Sequence, residues 1–205
     1  MEITKTEVWG FEQEKMNADT KGECKMLKNI YLICGKSGGG KTTVVEKLEQ
    51  DYGYHVLKSH TTRKPRHPND TDHIYSTISD YMIAKENNTI VASTVFDHNY
   101  YWATREQLEH CDLYIIDKDG IESLQKKYDG SRQCVVIYID VDPEECINRM
   151  KKRGDKDADI WERLKHDTDV FIGIEELSDF IVDGNKKDTW KIIADIIAKC
   201  EEVQI

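Results

Sequence analysis

Eight consecutive residues carry the clearest chemistry in this sequence. Gly35, Lys36, Ser37, Gly38, Gly39, Gly40, Lys41 and Thr42 follow the spacing G-x-x-x-x-G-K-[ST]. Glycines let a backbone wrap tightly enough for successive N–H groups to face phosphate oxygens, and the positive end of a following helix favours the same anion. In such a loop the lysine, here Lys41, reaches the β and γ phosphates of a nucleoside triphosphate, and the hydroxyl, here Thr42, ligates magnesium. Thr43 extends the nucleotide-binding run into the helix. Leu113 to Asp117 is an apolar stretch ending in a carboxylate, so Asp117 is a candidate for the same magnesium shell. ATP and Mg2+ are the implied ligands.

Two basic clusters narrow the reaction. Ser59 to Arg66 reads S-H-T-T-R-K-P-R, and Arg63 and Arg66 can fork onto one dianionic phosphate with planar donor sets. Arg149 and Arg153, four residues apart, share a helix face, and Arg163 follows ten residues on. Arginines on a mobile lid neutralise charge on a phosphoryl group in transfer and exclude water. Lys151 and Lys152 need no such role, because a basic helix C-terminus is favoured by the dipole.

The elements that must hold these residues alternate. Ile30–Cys34 is an apolar strand entering the glycine-rich turn, Thr42 to about Tyr52 has helical spacing, and His55–Lys58 is a second strand. Residues 59–104 carry turn signals and short alternating segments, the pattern of a small inserted subdomain, and Thr104 with Gln107 makes a capping box for a helix to about His110. Strands at Leu113–Asp117, Cys134–Val141 and Phe180–Val182 then alternate with helices at Gly120–Tyr128, Pro143–Arg153, Asp157 to about Ile174, and Asp188–Cys200. Such alternation predicts an α/β fold, a parallel sheet flanked by helices. Residues 1–27 read as a loose polar tail without clean periodicity.

The 205 residues fit one α/β domain. Against 29 Lys and Arg stand 39 Asp and Glu, a formal net charge of −10, which argues against nucleic-acid or membrane-surface partners. Any anion site must therefore be built locally. Six scattered cysteines without C-x-x-C or zinc spacing read as reduced thiols, and the absence of a long apolar run points to a soluble, cytoplasmic chain.

Taken together, residues 29–200 resemble the guanylate kinase family. The phosphate loop matches at Gly35–Thr42, the acceptor motif S-x-T-T-R-x-P-R at Ser59, Arg63 and Arg66, and the two acceptor-phosphate tyrosines fall on Tyr75 and Tyr101. The lid arginines fall on Arg149, Arg153 and Arg163, with one residue fewer between the last two. The resemblance implies a P-loop kinase with an acceptor-binding subdomain at about 59–104 and an arginine-bearing lid at about 150–163. It implies transfer from ATP to a nucleoside monophosphate, GMP or dGMP first, by a monomer or homodimer. It also exposes departures. The glutamate that reads guanine is replaced at Ala92, the family's Gly and small hydroxyl after the tyrosine pair become Trp102 and Ala103, and the first Asp of D-x-D is Ile115. Thr104 is the remaining hydroxyl, and Trp102 is placed to stack on a base or fill its space. Two alternatives stay open: a kinase for another phosphorylated acceptor of the ribose bisphosphate type, and a non-catalytic nucleotide-binding or scaffold domain.

Overall fold

A computed structural model of the chain describes residues 26–66 and 68–202; most of the polar tail lies outside them. In chain order the elements are β1 (Ile30–Cys34), α1 (Lys41–Tyr52), β2 (Val56–Leu57), β3 (His60–Thr61), β4 (Ile74–Tyr75), α2 (Ile78–Glu86), β5 (Ile90–Phe96) and β6 (Asn99–Thr104). They continue with α3 (Arg105–Glu109), β7 (Leu113–Ile115), α4 (Lys118–Lys127), β8 (Cys134–Asp140), α5 (Pro143–Arg153), α6 (Asp157–Val170), α7 (Ile174–Leu177), β9 (Phe180–Asp183) and α8 (Thr189–Glu202).

The main sheet has the order β2-β7-β1-β8-β9, parallel throughout, as the strand and helix alternation predicts. Both its faces are buried, and β1 shows why its sequence is continuously apolar. Tyr31 and Ile33 enter a core with Val44 and Leu48 of α1 and Ile193 and Ile197 of α8. Ile30, Leu32 and Cys34 enter a second core with Ile121 and Leu124 of α4 and with Phe171 and Ile174. The glycine-rich loop leaves the carboxyl end of β1, the central strand, which is where an open parallel sheet gathers its ligand contacts.

The short segments between 59 and 104 form a separate four-stranded sheet, order β4-β3-β6-β5, in which β3 and β4 are parallel and β6 runs antiparallel to both β3 and β5. One of its faces is covered by α2, a helix that period-2 alternation alone does not reveal. The signal for it was present: Thr77 and Asp80 form a reciprocal capping box. The long helix expected from Asp157 to Ile174 instead ends at Val170. Gly173 adopts φ 72, a left-handed conformation open to glycine at little cost, and turns the chain so that Phe171 and Ile174 both reach the core.

One buried carboxylate ties the sheet to the chain around it. Asp112, 1% exposed, accepts from the N–H groups of Leu27 and His55 at 2.8 and 2.9 Å, from His55 Nδ1 at 2.9 Å, and pairs with Arg132. Among the described residues no helix is long and apolar enough to cross a membrane, and Cys34, Cys111, Cys134, Cys146 and Cys200 are free thiols. Replacing Asp112 with Ala should leave three donors and a cation without their acceptor. A loss of about 3 kcal/mol is expected from urea denaturation, with nucleotide binding retained by the folded fraction.

Candidate active site

The glycine-rich loop takes the shape its sequence predicts. Gly38 and Gly40 sit at φ 77 and 86, and a Cβ on Gly38 would lie 2.6 Å from the Cys146 carbonyl oxygen. α1 begins directly after Gly40, so Lys41 and Thr42 occupy its first turn. The Lys41 ammonium donates to the carbonyls of Gly35 and Lys36 at 2.6 and 2.9 Å. Burial lowers its pKa below the ordinary lysine value, and the Asp167 carboxylate is the strongest influence raising it. Thr42 and Thr43 are exposed on the outer side of that turn.

From the loop a cleft of about 220 Å³ runs between the two sheets. Lys41, Ser37 and Asp167 line one end; Ser59, Arg66, Tyr101 and Arg163 line the other. Asp117 also lines the cleft. Its carboxylate caps α4 by accepting from Gly120 N–H at 2.8 Å; burial raises its pKa, and the Gly120 bond opposes that rise. Thr42 is not among the residues that line this cleft, whereas Asp117 is. The buried Asp117 carboxylate is a hard oxygen donor of the kind magnesium takes, but the Thr42 hydroxyl is not brought into the cleft beside it.

At the other end of the cleft basic residues converge from distant parts of the chain. Burial lowers the Arg66 pKa, and the positive charges of Arg63, Arg163 and Arg153 lower it further. Arg66 makes no ion pair among the described residues, and the buried Nε of Arg63 has no hydrogen-bond partner among them. Arg163 of α6 lies over the Phe96 ring, 5.7 Å from its centroid, and His166 meets the same ring edge-on at 4.6 Å. Arg153 is paired with Asp155, while Arg149 stands apart: it bonds Glu145 and the Gly184 carbonyl and approaches Gly40 of the phosphate loop. Tyr75 is reached by Arg63 at 3.4 Å, and Tyr101 lines the cleft itself.

Two residues at this end had no motif to announce them. Asp70 is buried in the turn after Arg66 and accepts from Arg63 Nη1 at 3.1 Å and from the Arg66 N–H at 2.9 Å, which fixes where both arginines begin. Burial works to raise its pKa, yet the Tyr75 hydroxyl, the Arg66 and Asp72 amides and Arg63 together hold it well below the carboxylate range. His73 receives or gives a bond with the Ser59 hydroxyl at 3.0 Å, and burial plus Arg63 lower its pKa. Asp70 was legible only as an Asx-type turn residue; His73 gave no signal.

The base-reading corner differs from expectation. Thr94 and Phe96 of β5 and Tyr101 of β6 line the cleft, whereas Ala92 and Ala103 belong to the hydrophobic core. Ala92 and Ala103 face each other across the ladder, both fully buried. Trp102 points to the opposite face, 1% exposed, stacked on His60 at 5.1 Å and edge-on to Tyr81 of α2. It neither stacks over the cleft nor fills it, because one residue along a strand reverses the side chain. Thr104 likewise does not line the cleft; its hydroxyl caps α3.

The AAA domain family (AAA_18) matches residues 32–169, more than half of the chain, and the chain belongs to that family of P-loop domains. Guanylate kinase from Thermotoga maritima is 24% identical over 185 residues, covering 84% of this chain and 87% of that enzyme. Guanylate kinase from Bartonella henselae is 30% identical, over 67% of this chain and 65% of its own length. The crystal structure of guanylate kinase from Anaplasma phagocytophilum superposes with a TM-score of 0.63 at 19% identity, covering 88% of this chain and 89% of that one, a likeness of fold. Within the P-loop domains this chain is a member of the guanylate kinase family.

Asp70 gives the site a pH signature. Its folded pKa is depressed, so its stabilisation is complete above the unfolded carboxylate value near ~4 and fades as the pH falls below it toward the folded value. Asp70→Asn is expected to cost about 1–3 kcal/mol at pH 7. The gap between variant and wild type should narrow as urea titrations are repeated toward pH 3.

Proposed function

We propose that this chain transfers the terminal phosphoryl group of ATP to a nucleoside monophosphate, with GMP or dGMP the leading acceptor. The observation that carries the reading is one cleft with Lys41 of the phosphate loop at one end and, at the other, Arg163, Tyr101 and an Arg66 without an ion pair among the described residues. Two phosphate-binding ends in one cavity suit a reaction that joins them.

In this reading the loop amides and Lys41 hold the β and γ phosphates, and Thr42 and Asp117 hold magnesium, which would neutralise charge on those phosphates. Arg63, Arg66, Tyr75 and Tyr101 hold the acceptor phosphate. One of its oxygens attacks the γ phosphorus; the new P–O bond forms as the bond to the β phosphate breaks, and ADP departs. Arg149, Arg153 and Arg163 stabilise the charge in transfer, and no covalent intermediate with the protein is needed. At about 220 Å³ the cleft is smaller than typical ligand sites of ~300–1,000 Å³, which supports movement of the lid and of the 59–104 subdomain on binding.

The replacement of the family's guanine-reading glutamate by Ala92, a core residue that does not line the cleft, favours a second reading. Without a carboxylate there, guanine's N–H donors lose partners worth roughly 1–3 kcal/mol each, whereas phosphate contacts are retained. A ribose phosphate acceptor would need no such partners. A scaffold role has less support, since Lys41, Thr42 and the lid arginines are all present.

An ADP-release assay with ATP-Mg against GMP, dGMP, AMP, CMP, UMP, dTMP and ribose phosphates tests this. Turnover with a nucleotide is the expected result; ribose phosphate turnover alone would select the second reading, and none would sink both. Lys41→Ala should cut transfer by on the order of 10³ in a folded protein, and Arg163→Ala should lower kcat by a similar factor with little change in the KM for ATP. Normal rates in either variant would remove its residue from the mechanism.

A further inference from the structure

α6 carries a buried carboxylate that the proposed reaction does not use. Asp167 is 6% exposed, and the helix buries only Ile160 besides. Carboxylates are seldom buried without a partner. Here the partner is the phosphate loop: Asp167 Oδ2 accepts from the Ser37 N–H at 2.7 Å and is the strongest charge offsetting the burial of Lys41. Its one other charged neighbour among the described ion pairs is His166, at 3.8 Å. A carboxylate thus holds a donor that belongs to the glycine-rich loop.

We infer that Asp167 is an internal competitor of the triphosphate and a positioning residue for the lid helix. This rests on the reading of the loop as an ATP site. Two anions cannot both lie against one amide and one buried ammonium, since like charges within about 4–6 Å repel strongly in a low-dielectric cleft. A triphosphate entering the loop must therefore displace Asp167. Arg163 lies four residues earlier, on the same face of the same helix, and now rests over Phe96. Releasing Asp167 frees α6 to carry Arg163 from the Phe96 ring toward the phosphoryl group. The tie between Asp167 and Ser37 couples arrival of the nucleotide to placement of the arginine.

Calorimetric titration of ATP-Mg into the full chain tests this with wild type, Asp167→Asn and Asp167→Ala. The Asn side chain keeps the volume and an acceptor oxygen, so its fold is not at stake. Removing the competitor should lower the Kd for ATP-Mg by about three- to tenfold in both variants, because the loop no longer has to be vacated before binding. A merely structural role predicts the reverse, weaker binding. An unchanged or raised Kd in the Asn variant overturns the inference. A lowered Kd in both variants, in a protein that transfers phosphoryl groups to no acceptor, would overturn the proposed function and leave this role standing. Turnover with equal affinity in all three proteins would do the opposite.

Discussion

The ammonium of Lys41 is a charge drawn partly out of solvent, and much of the architecture follows from keeping it there. Burial works against its ionisation, and two backbone carbonyls plus the field of Asp167 work for it. The carbonyls are available only because the loop curls back on itself through Gly38 and Gly40, and Gly38 has room for no side chain beside the Cys146 carbonyl. The loop in turn is fixed by β1, buried on both faces between α1 and α8 on one side and α4 on the other. A charged group is thereby anchored to the central strand of the sheet.

The arginine-bearing end of the cleft obeys a complementary constraint. The chain carries a net charge of −10, so arginines there would be drawn to nearby carboxylates unless these are placed first. Asp70 takes Arg63 and the Arg66 backbone, and Asp155 takes Arg153, which leaves the Arg66 guanidinium and Arg163 free of ion pairs among the described residues. Burial first, and then the positive charges of Arg63, Arg163 and Arg153, lower the Arg66 pKa, and a neighbouring anion would offset both. The second sheet is the scaffold for this cluster, and α2 seals its far face with Tyr81 against Tyr100 and Trp102.

The sequence by itself determined what is local in physical origin. A phosphate loop is a run of backbone conformations and neighbouring donors, so Gly35–Thr42 identified it, and the apolar runs of a sheet buried on both faces identified β1, β7 and β8. The acceptor motif and the lid arginines were likewise readable as residue types at set spacings. Only the tertiary structure decided which side chains meet. The pairing of β5 with β6 put Tyr101 in the cleft and sent Trp102 behind the sheet, because side-chain direction reverses at every residue and nothing in the motif says which face is inward. Asp70 beside Arg63, His73 beside Ser59 and Asp167 against Ser37 join residues 7, 14 and 130 positions apart. Contacts of that kind depend on how elements pack, and packing is a property of the folded whole.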